Sequence, residues 1–352
     1  MELGPVGDLT VASRQTLDLV VSLLTNLGYA DVLDQLMWQR LSRRFRCLKT
    51  DDNIAEWVAR KFSEDTSYER CLAGWTLCSI LGEGTFSTVL KAKRLDYSLQ
   101  CAVKITDTQH YNARATNRSS KLRPDTEASI LRALTHENIM GIYEAYHTTR
   151  GVILMLEYCE HGDVCADINQ RGAYGNERTT NLCLQVGSAL AYLHCNCIIH
   201  RDVKPENVLL KSSTKCEMVF VLADFGLARK CGFMDACRTF VGTQRYMAPE
   251  IFRTYRGNAN GYGSKVDVWS LGITLYACLT SELPSSVAIT DAEIGSNHLS
   301  EVREGIAEAS DLLRLIILTC LEPDPASRRD MCTAHRDWCE LSISTSRRRT
   351  FY

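Results

Sequence analysis

Three short segments in the second half of the chain carry the side chains best suited to chemistry. Residues 200 to 207 read His-Arg-Asp-Val-Lys-Pro-Glu-Asn, Asp224 begins Asp-Phe-Gly, and Ala248 begins Ala-Pro-Glu. Asp202, Asn207 and Asp224 are polar side chains of these segments that carry oxygen atoms suited to such chemistry. One such tripeptide would recur by chance, but three in this order indicate a single site.

A glycine-containing segment and a lysine lie upstream of these motifs. Residues 82 to 89 read Gly-Glu-Gly-Thr-Phe-Ser-Thr-Val, and a later Cys-Ala-Val-Lys ends at Lys104. Glycine lacks a Cβ atom, so the backbone can approach phosphate oxygens and donate its N–H groups to them. In this order the five segments resemble the signature of the eukaryotic protein kinases, over roughly residues 75 to 340. Ser87 departs from the family pattern, which has a third glycine there.

The resemblance implies an ATP site between two lobes. Lys104 would bind the α- and β-phosphates and pair with Glu127 on the family's αC helix. Leu156 would be the gatekeeper beside adenine, and backbone groups of Glu157 and Cys159 would bond the purine edge. The apolar residues enclosing the ring would be Val89, Ala102 and Leu209, and the acidic ribose contact would be Asp163. The full ATP set implied is Leu81, Gly82, Glu83, Gly84, Thr85, Phe86, Ser87, Val89, Ala102, Lys104, Glu127, Leu156, Glu157, Cys159, Asp163, Glu206, Leu209 and Asp224.

Catalytic roles follow from the same resemblance. Asp202 would accept the proton of the substrate hydroxyl, and Lys204 would offset charge that develops near the γ-phosphate. Asn207 and Asp224 would hold Mg²⁺, and Lys104 would complete the catalytic set. The implied activity is phosphoryl transfer, which asks a protein for positioning and charge neutralisation more than for covalent chemistry.

Other motif residues would support the site structurally. Thr243 would hydrogen-bond the catalytic aspartate and lysine, and Asp267 would brace the backbone of the catalytic loop. Arg328 would form a buried ion pair with Glu250.

The substrate class is indicated by the catalytic loop. Asp-Val-Lys-Pro-Glu-Asn resembles the serine/threonine kinases, so a serine/threonine protein kinase of class EC 2.7.11.- is predicted, with protein substrates. Asp163 and Glu206 stand where relatives that favour basic substrates have carboxylates, which predicts a preference for one upstream arginine. The alternative is a pseudokinase-like scaffold that binds partners without catalysis. Within the family, the chain resembles both the calcium/calmodulin-dependent kinases and the kinases of MAP-kinase cascades.

Regulation is predicted in the activation segment, defined as residues 224–248. Arg201 precedes the catalytic aspartate, and an arginine there is typically neutralised by a phosphorylated activation segment. Thr239 is the candidate regulatory phosphosite, and an upstream activating kinase is the partner that it implies.

The fold class expected is α+β, the bilobal protein kinase fold. The domain would span 73–340, with a small β-rich N-lobe and αC helix at 73–158 and a larger α-helical C-lobe at 159–340. A helical extension at 1–72 would precede it, and a basic tail at 341–352 would follow. The stretch from Leu283 to Asp311 has few apolar residues, so the family's αG helix is expected to be short or irregular.

A basic amphipathic segment at 36–49 lies in the extension. It could bind calmodulin or another acidic partner, or it could pack on the kinase lobe and expose its arginines.

Composition restricts the remaining options. The chain has 352 residues, of which 45% are hydrophobic and 23% charged, and its formal net charge is −2. This balance gives no indication of nucleic-acid binding, and no run approaches the length of about 18 apolar residues that indicates a transmembrane helix. The amino terminus lacks the pattern of a secretory signal, so a cytoplasmic location is predicted, with a nuclear one as the alternative.

Sixteen cysteines are present, without a Cys-x-x-Cys pair or zinc-ligand spacing. Most are expected to be reduced, partly buried thiols. Cys231 and Cys237 are the exceptions, because they lie in the activation segment and could be redox-sensitive there.

Overall fold

The structure of the protein is a computed structural model. It describes residues 75–83, 87–94, 99–107, 124–147, 151–212, 218–232, 236–284 and 298–349. The predicted helical extension at 1–72, with its basic segment at 36–49, lies outside the described residues. So do Gly84, Thr85 and Phe86 of the glycine loop.

The first lobe is built on an antiparallel sheet of five strands in the order β1-β2-β3-β5-β4. Its strands are β1 (Trp75–Glu83), β2 (Ser87–Arg94), β3 (Gln100–Asp107), β4 (Ile142–His147) and β5 (Gly151–Glu157). In β5, Ile153 and Met155 face a small apolar cluster within the lobe, whereas Val152, Leu154 and Leu156 face the main core. Both faces of this strand are therefore covered, which explains its continuous apolar sequence.

Helix α1 (Pro124–Arg132) packs beside this sheet. It corresponds to the αC helix that the resemblance implied, and it ends at Arg132. Ala128, Ile130 and Leu131 are buried in the main core, so α1 carries its glutamate, Glu127, toward the boundary between the lobes.

The second lobe is mainly helical, as predicted. Its helices are α2 (Val164–Arg171), α3 (Asn176–Cys195), α4 (Pro249–Tyr255), α5 (Lys265–Thr280), α6 (His298–Gly305), α7 (Asp311–Cys320) and α8 (Met331–Arg349). Residues 266 to 278 of α5 are buried without interruption. A helix that is buried all round forms the centre of a lobe rather than its surface.

Two short sheets position the catalytic loop. Strand β6 (Ile198–Ile199) pairs with β9 (Arg229–Lys230), and β7 (Val208–Ser212) pairs with β8 (Met218–Leu222). Residues 200 to 207 lie between β6 and β7, and Asp224 follows β8. The two pairings therefore bring the His-Arg-Asp and Asp-Phe-Gly motifs to the same place.

Two regions of the second lobe refine the sequence analysis. Helix α6 is the short helix expected in the αG region, and it has eight residues with Val302 fully buried. Helix α8 continues to Arg349, so it extends well into the segment 341–352 that was predicted to be a basic tail. Within the described ranges, no helix has the length and apolarity needed to cross a bilayer.

The second lobe contains the predicted buried ion pair between Arg328 and Glu250. Arg328 Nη1 lies 2.7 Å from Glu250 Oε1, and Nη2 lies 3.2 Å from Oε2. The guanidinium also donates to the carbonyls of Glu322 and Lys265, at 2.8 and 3.0 Å, and lies over the ring of Trp269. All three guanidinium nitrogens therefore have partners, which is the condition under which a buried ion pair is tolerated.

Replacing Arg328 with methionine should lower the free energy of unfolding by about 3–5 kcal/mol, because it leaves Glu250 buried without a counter-charge. Chemical denaturation followed by circular dichroism would measure the change. The matched control is Arg314→Ala, which removes an exposed pair with Asp311 and should cost about 1 kcal/mol or less. Equal losses in the two variants would contradict the role assigned to the buried pair.

Candidate active site

The carboxylate of Asp202 is the most heavily hydrogen-bonded group of the catalytic loop. Its Oδ1 accepts from the backbone N–H and the hydroxyl of Thr243, at 2.9 and 2.8 Å. Its Oδ2 accepts from Asn207 Nδ2 at 2.9 Å and forms an ion pair with Lys204 Nζ, also at 2.9 Å. The Thr243 hydroxyl in turn accepts from Lys204 at 2.7 Å, as predicted. The carboxylate is buried and held in one orientation by donors on both oxygens.

Asp267, on the central helix α5, lies beneath this loop. Its Oδ2 accepts from the backbone N–H of His200 at 2.9 Å, and its Oδ1 accepts from that of Arg201 at 2.8 Å. These bonds confirm the predicted brace, and they hold Arg201 at φ = 69°, a conformation rarely adopted by residues other than glycine.

His194 is a residue of this site that the sequence analysis missed. His194 lies in the last turn of α3, and its Nε2 lies 2.8 Å from Asp267 Oδ2. Burial of Asp267 opposes its ionisation, but the hydrogen bond and charge of His194, with His200 and the backbone N–H of Arg201, bring its pKa below the ordinary value. His194 carries no motif of its own, and only the fold brings it to the aspartate.

Asn207 is oriented by its amide nitrogen. Nδ2 donates to the carbonyl of Asp202 at 2.8 Å as well as to its carboxylate. Because both donors of the amide are used in this way, Oδ1 is left as the acceptor end of the side chain. The backbone N–H of Ala223 donates to the carbonyl of Asn207 at 2.9 Å, which ties Asn207 to the residue before Asp224.

The Asp-Phe-Gly turn places a second carboxylate in the cleft. Asp224 has φ = 59°, and its Oδ1 lies 2.7 Å from Lys104 Nζ. Desolvation raises the pKa of Asp224, but the charge and hydrogen bond of Lys104, followed by His200 and the N–H of Gly226, bring it below the ordinary value. A Cβ atom on Gly226 would lie 3.3 Å from Asp224 Oδ1 and 3.6 Å from Glu127 Oε2, so glycine leaves room for these charges.

Lys104 connects three elements. From β3 its ammonium reaches Glu127 on α1, with Nζ–O distances of 2.8 and 3.1 Å, and it reaches Asp224 as well. The ion pair with Glu127 was predicted, and the contact with Asp224 is additional. Burial lowers the pKa of Lys104, but the charges of Glu127 and Asp224 outweigh it and raise the pKa well above the ordinary value. The lysine is therefore charged at every physiological pH.

The oxygen ligands suit a hard cation that brings further ligands with it. Among the described residues, no group of three or more His, Cys, Asp and Glu side chains could hold a metal unaided. Asn207 Oδ1 and the half-exposed carboxylate of Asp224 supply two oxygens. Mg²⁺ is commonly held by one or two protein ligands together with phosphate oxygens and water, so these residues fit such an ion.

The four apolar residues predicted to enclose adenine all belong to the main core or pack against it. Ala102 of β3 and Leu156 of β5 are register partners, and both are buried. Val89 and Leu209 are partly buried against the same core. The backbone N–H of Glu157 donates to the carbonyl of Gly141 at 2.9 Å, so of its two backbone groups only the carbonyl can serve a purine.

Cys159, the other residue predicted to contact the purine edge, is buried two residues after the end of β5. Burial, with a smaller contribution from Glu157, raises the pKa of its thiol to about 12. Its side chain is therefore neutral at physiological pH, and any contact with a ligand would come from its backbone.

The glycine loop is described at its two ends. Gly82 pairs with Val89 and Glu83 with Thr88, so β1 and β2 approach the turn in register. Leu81 is exposed, and a Cβ atom on Gly82 would meet no atom of the described residues within 4 Å.

A family model of the protein kinase domain matches residues 75–338. The chain belongs to the protein kinase family. This kinase domain is 35% identical over 255 residues to the probable serine/threonine-protein kinase fhkE of Dictyostelium discoideum, an alignment covering 69% of this chain and 35% of the relative. It is 33% identical over 230 residues to the serine/threonine-protein kinase ATG1a of Arabidopsis thaliana, covering 65% of this chain and 34% of the relative.

A further relative is serine/threonine-protein kinase 33 of Bos taurus, which is 29% identical over 264 residues, covering 72% of this chain and 52% of the relative. The alignments thus span from about a third to about half of these relatives' lengths. The kinase domain is of the serine/threonine type, and such a domain uses ATP with a divalent metal.

Two other predicted site residues, Asp163 and Glu206, lie at the start of α2 and in the turn at residues 205–207. Asp163 is the N-cap of α2, and its Oδ1 accepts from the N–H of Ala166 at 2.8 Å. Aspartate is a favoured N-cap residue, so this role could have been predicted from its position before the helix. Glu206 is exposed on the turn formed by residues 205–207.

Proposed function

We propose that this chain is a catalytically active protein kinase that transfers the γ-phosphate of Mg²⁺-bound ATP to serine and threonine hydroxyls of proteins. The observation that carries the proposal is the set of four contacts to the Asp202 carboxylate, namely three hydrogen bonds from Thr243 and Asn207 and an ion pair with Lys204. A base must be oriented toward the proton that it accepts, and this set orients one before any substrate binds.

The proton and charge roles follow from this arrangement. Asp202 accepts the proton of the attacking hydroxyl and directs the oxygen toward the phosphorus. Lys204, already 2.7 Å from Thr243 and 2.9 Å from Asp202, offsets charge on the transferred group. Lys104, fixed by Glu127 and Asp224, holds the phosphates of ATP. When bound, Mg²⁺ neutralises charge on the phosphates, and Asn207 and Asp224 are the residues that would hold it.

A pseudokinase-like scaffold is the alternative, and no observation favours it. The five side chains that the chemistry needs, from Lys104 and Glu127 to Asp202, Asn207 and Asp224, are present and connected. Binding of calmodulin or another partner at 36–49 and a cytoplasmic or nuclear location stay predictions.

Regulation through Thr239 is a second part of the proposal. The guanidinium of Arg201 donates to the Thr239 hydroxyl at 2.8 Å and to the carbonyl of Leu227 at 2.6 Å. Both partners are neutral, so the cation has no opposing charge among these contacts. A phosphate on Thr239, added by an upstream kinase, would supply two negative charges and stronger hydrogen bonds at that place.

Substrate preference is a third part, and it rests on Glu206. Its carboxylate is exposed and lies near enough to Cys165 and Tyr246 to act on both electrostatically. Asp163 is partly committed to capping α2. We therefore propose that Glu206 is the main determinant of a preference for one arginine upstream of the phosphorylated residue.

Replacing Asp202 with alanine should lower kcat by about 10²–10⁴, because the base is lost. The measurement is transfer of radiolabelled phosphate from Mg²⁺-ATP to the chain itself and to a basic serine/threonine peptide. Asp311→Ala, which removes a highly exposed carboxylate, is the control and should match the wild type. Undiminished transfer in Asp202→Ala would contradict the mechanism. Absent transfer in the wild type, with ATP binding retained, would favour the scaffold.

Replacing Thr239 with alanine should lower kcat/KM of the phosphorylated preparation by about tenfold, an effect worth about 1.4 kcal/mol. Treatment of the wild type with a phosphatase should give the same loss, whereas it should leave the Thr239→Ala variant unchanged. Equal activity of wild type and variant, both before and after the phosphatase, would eliminate this site.

Replacing Glu206 with glutamine should reduce selection for an upstream arginine by about tenfold, the effect of losing about 1.4 kcal/mol of charge attraction. A peptide array with arginine placed at each upstream position would measure it. The proposal is wrong if the wild type selects no basic residue at any of these positions. Asp163→Asn, which keeps a capping oxygen, is the comparison that separates the two carboxylates.

A further inference from the structure

Two cysteines of the activation segment face each other. Cys231 Sγ and Cys237 Sγ are 3.0 Å apart, and both side chains are buried. A disulfide bond has an S–S distance of about 2.0 Å, so the two sulfurs need to approach by only about 1 Å to form one.

Both cysteines are anchored to the second lobe through their backbones. The N–H of Cys231 donates to the carbonyl of Cys197 at 2.8 Å. Cys237 and Tyr262 exchange two backbone hydrogen bonds, each of 2.9 Å. A Cβ atom on Gly261 would come within 2.9 Å of the Cys237 carbonyl, so only glycine permits this close approach. The backbone hydrogen bonds of Cys231 and of Cys237 therefore place the two sulfurs next to each other.

The pair adjoins the proposed regulatory contact. Thr239, two residues after Cys237, is held by Arg201 at its hydroxyl and by the Tyr262 hydroxyl at its carbonyl, the latter at 2.7 Å. Tyr262 thus holds both Cys237 and Thr239. A covalent link at Cys237 would act on the same short piece of backbone.

The thiol of Cys237 is protected in the reduced state. Burial, followed by the contact with Cys231, raises the pKa of Cys237 to about 12, although Arg201 and Arg229 lower it in part. A thiol with so high a pKa has little thiolate at neutral pH and reacts slowly. The exposed pair Cys195 and Cys332, with sulfurs 3.1 Å apart, is the more accessible competitor for an oxidant.

We propose that Cys231 and Cys237 are a modification site, a dithiol that a hydroperoxide such as hydrogen peroxide oxidises to a disulfide, and that this disulfide restrains the activation segment beside Thr239. The second half of the proposal rests on the proposed function of Thr239. A threonine that is to be phosphorylated must enter the cleft of another kinase with its flanking backbone extended. A ring closed across residues 231–237 opposes that extension.

The oxidation consumes one hydrogen peroxide and releases two molecules of water. One thiolate attacks an oxygen of hydrogen peroxide, the O–O bond breaks, and a sulfenic acid forms while hydroxide leaves and is protonated to water. The second sulfur then attacks the sulfenic sulfur, the S–S bond forms, and a second water leaves with the remaining proton. Two electrons pass from the two sulfurs to the peroxide.

Peptide mapping tests the dithiol without any need for kinase activity. Trypsin cleavage after Lys230 and Arg238 places both cysteines in one peptide, residues 231–238. Full-length protein carrying Cys195→Ser and Cys332→Ser is exposed to excess hydrogen peroxide at pH 8.5, alkylated and digested. The expected peptide has lost two hydrogen atoms and regains them with dithiothreitol. Oxidation of Met234 in the same peptide adds oxygen instead and is not reversed by the thiol.

Two results would overturn the dithiol. One is that Cys231 and Cys237 are both still alkylated after prolonged exposure, and the other is that either is linked to Cys197. Cys231→Ser alone and Cys237→Ser alone should each abolish the reversible loss of two hydrogens. Because the principal measurement is made with both cysteines present, it stands even if one of these variants folds poorly.

Transfer to Thr239 tests the consequence. Reduced wild-type protein serves as the enzyme, and Asp202→Ala protein, either peroxide-treated or reduced, serves as the substrate after the peroxide has been removed. Labelling of Thr239 should be about fivefold or more slower in the oxidised substrate, because the closed ring opposes the extended backbone that Thr239 needs in the enzyme's cleft. Dithiothreitol should restore the rate.

The other outcomes are distinct. Equal labelling of the two substrates would show that the disulfide does not restrain the segment. Labelling of neither, with transfer to a peptide intact, would show that this chain does not phosphorylate Thr239 in a second copy and would overturn the consequence for that reaction. Absence of peptide transfer would contradict the proposed kinase activity, and in each case the dithiol is judged by the peptide masses alone.

Discussion

The buried carboxylate of Asp267 is the constraint on which the active site depends. It lies in the first turn of α5, a helix buried without interruption from residue 266 to 278, and accepts from two successive backbone N–H groups of the catalytic loop. Without these bonds, nothing in the local sequence would favour Arg201 at φ = 69°. That unusual turn directs the Arg201 side chain to the activation segment and the next residue, Asp202, to the cleft. The rigid core thus determines the geometry of both the base and its regulatory arginine.

Lys104 performs the corresponding task between the lobes. Its single positive charge lies between two carboxylates, one on α1 and one in the Asp-Phe-Gly turn. A rotation of α1 that moves Glu127 away would break the ion pair with Lys104 and leave only the contact between Lys104 and Asp224. Because the two contacts share one ammonium group, the position of α1 and the orientation of Asp224 are coupled electrostatically. Phosphate groups that enter the cleft would also interact with the Lys104 ammonium. Nucleotide binding and the relative position of the lobes are therefore linked through the same charge.

The sequence predicted the ion pairs and hydrogen bonds between motif side chains. It predicted fewer of the contacts between these motifs and the rest of the fold. The contacts of Lys104 with Glu127, Thr243 with Asp202, and Arg328 with Glu250 were all predicted, and the structure confirms them. Each joins side chains whose types and positions in the motifs require a partner.

The contacts that escaped prediction are those that depend on how whole elements pack. His194 reaches Asp267 only because α3 and α5 are adjacent. The Asp163 cap was missed because its carboxylate had been assigned to the ligand and to the substrate, although its place before a helix was visible in the sequence.

The proximity of Cys231 to Cys237 depends on backbone pairing with Cys197 and Tyr262, which are distant in the chain. The nucleotide-binding roles, in contrast, follow from family resemblance and stay proposals, although the geometry is compatible with them. Physical chemistry at a single residue therefore identifies the reactive groups, whereas the tertiary fold decides which of them meet.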